Sequence, residues 1–233
     1  MNAYGIVVAG GTGRRMGTTI PKQLLKLGEF TILERSLIPF VRSPEIKGII
    51  VVAAETIIEH IMAVISGMES RECDISVVPG GDERQHSVWN GLEALPVNAE
   101  IAVIHDAVRP FITAELVGKC VDAARTYGAV TVMKPVSETV KEVSECRVIR
   151  TLDRSKLWIT QTPQAFTIPL ILEAHNRARQ EQYYGTDDCV LVERLGHTVH
   201  VIEGDEFNIK ITTPEDLEIA RVLLKIFEHR EDE

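Results

Sequence analysis

The chain has 233 residues, 45% hydrophobic and 25% charged, with a net charge of −9, enough for one large domain or two small ones whose core needs no staples. The acidic balance argues against a nucleic-acid binder, which would carry a basic face. Cys73, Cys120, Cys146 and Cys189 are scattered without a Cys-x-x-Cys pair, which excludes a zinc ribbon or a small disulfide scaffold and fits a reducing compartment. The N-terminus has no basic region, and its apolar run is too short for a signal peptide or a membrane span, so the expectation is a soluble, cytoplasmic protein with no membrane partner.

The first apolar run, Gly5–Ala9, reads as a buried strand and opens into Gly10-Gly11-Thr12-Gly13-Arg14-Arg15-Met16-Gly17, with Pro21-Lys22-Gln23 shortly after. Glycines let backbone N–H groups approach a phosphate, and the cations answer a polyphosphate's charge. No Gly-Lys-Ser/Thr follows, so this is not a P-loop. Met16 stands where the third glycine of a dinucleotide fingerprint belongs. What remains is a triphosphate cradle with its own Arg15 and Lys22, suited to nucleotidyl transfer. The competing reading is a plain strand-to-helix turn with solvent-facing arginines.

Strand-length runs follow at Gly48–Ala53, Ile75–Val78, Ile101–His105 and Ala129–Met133, separated by helix-period segments at Ile32–Val41, Thr56–Ile65, Glu83–Leu95 and Thr113–Tyr127. Continuous β-branched runs are buried on both faces, which predicts a largely parallel sheet covered by helices. Gly80-Gly81-Asp82-Glu83-Arg84, then Gln85-His86-Ser87, is a second glycine turn entering a helix; it offers backbone groups to a nucleobase edge or is simply a turn and cap. His105-Asp106-Ala107-Val108-Arg109-Pro110 places an acid and a base where a strand runs out, the edge at which ligands of open α/β sheets collect. Asp106 suits a ribose hydroxyl or a metal–phosphate complex, and Arg109 a second phosphate, unless the two only tidy the loop as an ion pair.

Past Pro135 the alternation of Val136 to Leu152 around Ser144-Glu145-Cys146 predicts a β-hairpin with little surface for the main core. It projects either as a flap over the site or as an arm exchanged with a partner subunit. Trp158–Thr162 is extended and ends at Pro163. Helices are expected at Ile168–Arg179 and at Asp187–Leu195, the latter capped by Thr186, and a strand at Thr198–Ile202. Thr213-Pro214-Glu215-Asp216 is a strong helix start. The last helix is expected to run to about Phe227 and to leave Glu228–Glu233 frayed. His197 and His200 are three apart in a predicted strand and face opposite sides, so no metal cluster is evident.

In order along the chain, these segments resemble the cytidylyltransferases of the methylerythritol phosphate pathway. The likeness rests on Ala9-Gly10-Gly11-x-Gly13-x-Arg15-Met16, Pro21-Lys22-Gln23, Gly80-Gly81-x-x-Arg84-Gln85-x-Ser87-Val88 and His105-Asp106-Ala107-Val108-Arg109-Pro110. It continues through Thr139-Val140-Lys141, Asp153-Arg154-x-x-x-Leu157-Trp158, Gln161-Thr162-Pro163-Gln164 and Asn208-Ile209-Lys210.

The resemblance implies an α/β fold: a three-layer, Rossmann-like nucleotidyltransferase domain over 1–233, with a mostly parallel sheet and 136–152 as a projecting β-hairpin arm. It implies transfer of CMP from CTP to 2-C-methyl-D-erythritol 4-phosphate with Mg²⁺, in isoprenoid precursor biosynthesis, by a homodimer joined through the arm. By the same resemblance Arg15 and Lys22 stabilise charge on the triphosphate. Ala9, Gly10, Gly11, Gly13, Gly81, Asp82 and Ser87 hold CTP, with Ala107 near the ribose. Asp106, Arg109, Thr139, Arg154 and Lys210 position the acceptor, Arg154 in the partner's site; the metal's ligands stay unassigned.

Two departures keep alternatives open. Ala9-Gly10-Gly11 and Ile20-Pro21 are also similar to the sister ribitol 5-phosphate cytidylyltransferases, whereas the Arg84–Val88 and Asp153–Trp158 segments look more like the methylerythritol enzymes. A nicotinamide oxidoreductase using the same glycine loop would want an acid at the end of the second strand about 20 residues on. That window holds only Glu29 and Glu34, in a loop and a helix.

Overall fold

The computed structural model describes residues 2–11, 20–68 and 73–231. The five early apolar runs become strands β1 (Ala3–Ala9), β4 (Ile46–Ala53), β5 (Asp74–Pro79), β6 (Ile101–Asp106) and β7 (Ala129–Pro135). They join β10 (Trp158–Thr167) and β11 (His200–Glu203) in a seven-stranded sheet of order β11-β7-β10-β6-β1-β4-β5. Only β10 runs antiparallel to its neighbours, β6 and β7; the other pairs are parallel. The short strands β2 (Lys26–Leu27) and β3 (Phe30–Thr31) form a separate pair.

Successive residues of a strand point to opposite faces, and the core divides accordingly. Val7, Val51 and Val103 pack with α1 (Ile32–Arg42), α2 (Ile58–Ser66) and α4 (Ala114–Tyr127). Ile6, Val52 and Ile104 pack with α3 (Arg84–Glu93), α5 (Ile168–Gln180) and α6 (Cys189–Arg194). Helices thus cover both faces, which is why the central strands are continuous apolar runs. Gly91 lets α3 lie close to the sheet, since a Cβ there would come within 2.6 Å of Ile6 Cγ2. A third apolar cluster seats α7 (Pro214–Glu231) against Leu27, Val108, Phe111 and Ile211, and so fixes the loops around the sheet's carboxyl edge.

Four boundaries depart from the sequence expectation. Pro163 does not end its strand: β10 continues to Thr167, with its pairing to β7 broken between Thr160 and Gln164. Proline lacks an N–H, and the interrupted stretch is where a ladder tolerates that loss. Helix α6 starts at Cys189 and not at Asp187, and its first turn is held by Asp187 Oδ1, which accepts from Val190 N (3.1 Å), not by Thr186. Helix α7 continues to Glu231 instead of fraying after Phe227. The Phe227 ring packs edge-on against Phe111, and Glu228 pairs with Arg35 at 3.0 Å. His197 precedes β11 and does not lie on it.

The hairpin forms as β8 (Lys141–Ser144) and β9 (Arg147–Thr151), every residue of both strands exposed. Glu145 and Cys146 take φ of 48° and 62°, the paired left-handed conformation of a tight two-residue hairpin turn. No helix among the described residues is long and apolar enough to cross a membrane.

Candidate active site

At the carboxyl end of β1 the chain leaves the sheet through Gly10 and Gly11. Gly13 and Arg15 lie outside the described residues. The chain returns in a 3₁₀ turn, Lys22–Leu24, clipped back onto the strand by the buried Gln23: its Nε2 donates to Ala9 O (2.7 Å) and Gly11 O (3.4 Å). Lys22 Nζ donates to Ile211 O (3.2 Å), next to Lys210 in sequence.

Across this edge, β5 ends in the Gly80–Gly81 turn that leads into α3. Ser87 Oγ accepts from Gly81 N (3.2 Å) and donates to Glu83 O (3.2 Å), folding the turn over the helix start. A Cβ on Gly80 would stand 2.8 Å from that Oγ, so the turn closes only around glycine. A cavity of about 340 Å³ lies between these segments, lined among others by Ala9, Gly10, Gly11, Lys22, Gly81, Asp82 and Ser87, with Asp106 and Lys210 on its far wall.

Asp106, the last residue of β6, is buried among three cations. Arg84 Nε donates to its Oδ1 (3.0 Å), Lys210 Nζ lies 2.7 Å from Oδ2, and Arg109 Nε lies 3.8 Å from Oδ2. Burial alone would raise the carboxyl, but Arg84, Lys210 and Arg109 outweigh it and hold Asp106 well below the usual carboxylate range. It is therefore an anion at any physiological pH.

The strand end is aligned by His105. Asp106 N donates to Thr162 Oγ1 (3.1 Å), the hydroxyl lies 2.8 Å from His105 Nδ1, and His105 Nε2 lies 3.1 Å from Arg109 O. Burial, the largest influence, pushes the imidazole down to about 4, so it is neutral. It then donates from Nε2 and accepts at Nδ1, and both ring nitrogens are satisfied.

The interrupted stretch of β10 carries the second half of the alignment. Asn208 Nδ2 donates to Thr162 O (2.9 Å), Gln161 Nε2 donates to Asp205 O (2.9 Å), and Arg109 Nη1 donates to Asn208 O (2.8 Å). The segment bearing Lys210 is thereby indexed to the same residues that index Asp106. A second cavity, about 220 Å³, opens here between Arg109, Gln161, Thr162, Gln164, Thr186 and Asp187, and shares Arg84, Asp106 and Lys210 with the first.

Of the residues expected at the site, the structure gathers Ala9, Gly10, Gly11, Lys22, Gly81, Asp82, Ser87, Asp106, Arg109 and Lys210 around the two joined cavities. Ala107 is fully buried beneath the floor, and Val108 lines the first cavity in its place. Arg154 and Thr139 line neither cavity. Both are exposed at the base of the hairpin, where Arg154 Nη1 donates to Ser137 O (2.6 Å).

Sequence reasoning assigned no role to Arg84, Gln23, Thr162 or Asp188. Arg84 stood inside a quoted motif, and its position four residues past a strand-end glycine was the available signal. Gln23 and Thr162 stood inside such motifs too, but their partners, like the Arg84 partner of Asp188, are distant in sequence.

Among the described residues no three His, Cys, Asp or Glu side chains gather as a metal site. Asp82 and Glu83 nevertheless line the first cavity, and neither has an ion pair among the described residues. This donor set fits Mg²⁺ arriving with a polyphosphate, because Mg²⁺ is commonly held by one or two carboxylates together with substrate phosphates and water.

A family model described as IspD, 2-C-methyl-D-erythritol 4-phosphate cytidylyltransferase, matches residues 4–226. The chain is 42% identical over 228 residues to the 2-C-methyl-D-erythritol 4-phosphate cytidylyltransferase of Desulforamulus reducens, covering 96% of each protein. It is 43% identical over 224 residues to that of Geobacillus thermodenitrificans, covering 96% of this chain and 97% of the other. Among solved structures it is similar to the 4-diphosphocytidyl-2C-methyl-D-erythritol synthase of Anaerococcus prevotii, with a TM-score of 0.85, 31% identity, and coverage of 96% of this chain and 98% of that one.

Proposed function

The chain belongs to the 2-C-methyl-D-erythritol 4-phosphate cytidylyltransferase family, and from that premise we propose how its cleft works. The enzyme transfers CMP from CTP to 2-C-methyl-D-erythritol 4-phosphate, releasing pyrophosphate, in isoprenoid precursor biosynthesis. An oxygen of the acceptor's phosphate bonds to the α-phosphorus. The α-phosphorus–oxygen bond to the β-phosphate breaks, and pyrophosphate leaves with the electron pair. Such a reaction needs alignment and charge neutralisation rather than a protein nucleophile.

One observation carries the assignment of roles: two cavities meet over Asp106, one walled by glycine turns and Lys22, the other by Arg109. The first takes CTP, with the backbone of Ala9, Gly10 and Gly11 and with Gly81, Asp82 and Ser87 at the cytosine, Gly13 in the loop at the triphosphate, and Ala107 behind the ribose. Arg15 and Lys22 stabilise charge growing on the triphosphate. The second takes the polyol phosphate through Asp106, Arg109 and Lys210, and Thr139 joins them from the base of the arm. Mg²⁺, delivered with CTP, would neutralise phosphate charge.

Residues 1–233 act as one nucleotidyltransferase domain with 136–152 as its arm. Val143, Val148 and Ile149 on the arm are each more than half exposed, which supports a homodimer in which the partner subunit covers them and Arg154 serves the partner's site. Four cysteines that form no disulfide, three of them buried, support work in the reducing cytoplasm.

Pyrophosphate release from CTP and Mg²⁺ is expected to be far faster with 2-C-methyl-D-erythritol 4-phosphate than with ribitol 5-phosphate; the reverse order would transfer the assignment to the ribitol enzymes. For the arm, inactive Arg154→Ala and Lys22→Ala proteins are mixed and allowed to exchange. Half of a random mixture is heterodimer with one intact site, so about a quarter of the wild-type rate per chain should return. A verified heterodimer without activity would make the hairpin a flap.

A further inference from the structure

Three side chains line both cavities: Asp106, Lys210 and Arg84. The first two are already placed on the acceptor. Arg84 has no role in the reading above, yet it stands at the border where the α-phosphate and the attacking phosphate must meet.

Its guanidinium is held on two sides. Nε donates to Asp106 Oδ1 (3.0 Å) and Nη1 to Asp188 Oδ2 (2.7 Å). The third nitrogen, Nη2, has no partner among the described residues and is not sealed from solvent; the side chain keeps 27% exposure. Asp188 is itself fixed. It is 1% exposed, its Oδ1 faces His175 Nε2 at 3.1 Å, and its backbone N donates to Gln164 Oε1 (3.2 Å). His175 is fully buried, and its Nδ1 has no partner, so its visible task is to orient Asp188. A surface ion pair would not need this backing. A donor that must meet a transferring group within a fraction of an ångström does.

We propose that Arg84 is a further substrate-contacting residue of the cytidylyl transfer, its Nη2 donating to the phosphoryl oxygens at the junction, and that Asp188 and His175 are positioning residues acting through it. The proposal rests on the cytidylyltransferase reading. Burial works against the Arg84 charge, but Asp188 and Asp106 outweigh it and raise its pKa above the ordinary range. Arg84 therefore keeps its proton and acts as a hydrogen-bond donor while the phosphate oxygen bonds to the α-phosphorus and pyrophosphate departs.

Steady-state kinetics with CTP, Mg²⁺ and 2-C-methyl-D-erythritol 4-phosphate test this on wild type, Arg84→Ala, Arg84→Lys and Asp188→Asn, each checked by its unfolding midpoint. Arg84→Ala should lower kcat about 10²–10³-fold, the usual cost of one lost donor to a developing oxyanion, with KM for CTP within about threefold. Arg84→Lys restores the charge but not the fork and should recover part of the rate; it carries the test if the alanine variant does not fold. Asp188→Asn should lower kcat about tenfold at unchanged KM for CTP, as loss of an outer partner does. A folded Arg84→Ala or Arg84→Lys protein with kcat within twofold of wild type overturns the proposal, as does a loss confined to KM for CTP. An Asp188→Asn enzyme indistinguishable from wild type removes the positioning claim. Wild-type protein inactive with either polyol phosphate sinks the cytidylyltransferase reading and Arg84's role with it. An active wild type with an indifferent Arg84 sinks the proposal alone.

Discussion

The two halves of the cleft are built from different materials. The nucleotide half is mostly backbone and short side chains: Gly10 and Gly11 at a strand end, the Gly80–Gly81 turn folded onto Ser87, and Gln23 clipping the returning chain. The acceptor half is a lattice of charges, in which Asp106 meets Arg84, Lys210 and Arg109, and Arg84 reaches on to Asp188. One half recognises by shape and close approach, the other by opposing charge. They should therefore fail differently.

The largest effect is expected at the charged half. Asp106→Ala leaves Arg84 and Arg109 buried without their shared anion, and breaking a buried pair this way costs about 3–5 kcal/mol. Lys210, partly exposed, returns to water and keeps the loss toward the low end. Urea unfolding measures it; a loss below about 1 kcal/mol would mean that charge does not hold this half together.

The next concerns pH. His105 is lowered from an ordinary 6.5 to about 4 in the folded protein, because burial disfavours its charged form. Between those values the unfolded chain binds more protons than the folded one. The contribution to stability is then complete above pH 6.5 and is lost as the pH falls toward 4, in total about 3 kcal/mol. Asp106 and Asp188, both depressed, add their losses only at still lower pH. Unfolding free energies at pH 7 and pH 4.5 should therefore differ less in His105→Gln than in wild type. An identical pH dependence would remove His105 as the sensitive group.

The smallest effect belongs to the shape-built half. Gly80→Ala changes no charge, but its methyl would meet Ser87 Oγ at 2.8 Å. Overpacking of this kind costs about 1–2 kcal/mol. Calorimetric titration should show weaker CTP binding, and kinetics an unchanged KM for the acceptor. A variant that spares CTP and weakens the acceptor would reverse the assignment of the two cavities.

Much of this was legible before any coordinates. Apart from the unforeseen short pair β2 and β3, the strands and helices of the first 135 residues lie within a few positions of their expected bounds, because apolar period reports burial and burial is what selects each element. The glycine turns and the His105–Pro110 segment were recognisable as strand-end chemistry for the same local reason. Pro163, Thr186 and Phe227 misled as boundary markers. A broken ladder accommodates the first, Asp187 replaces the second as the cap, and packing on Phe111 carries the helix past the third.

The order of elements, the parallel core and the identity of the residues at the strand ends were determined by the sequence itself, since each depends on neighbours a few positions away. Only the tertiary structure decided that Arg84 would bridge Asp106 and Asp188, the latter 104 residues on, and that Lys210 would close on the same carboxylate. Ion pairs carry no periodicity, and a charged residue reads alike whether it faces water or a buried partner. The choice is made by desolvation, when the sheet brings distant strand ends and loops together and leaves each charge no stable alternative to its opposite.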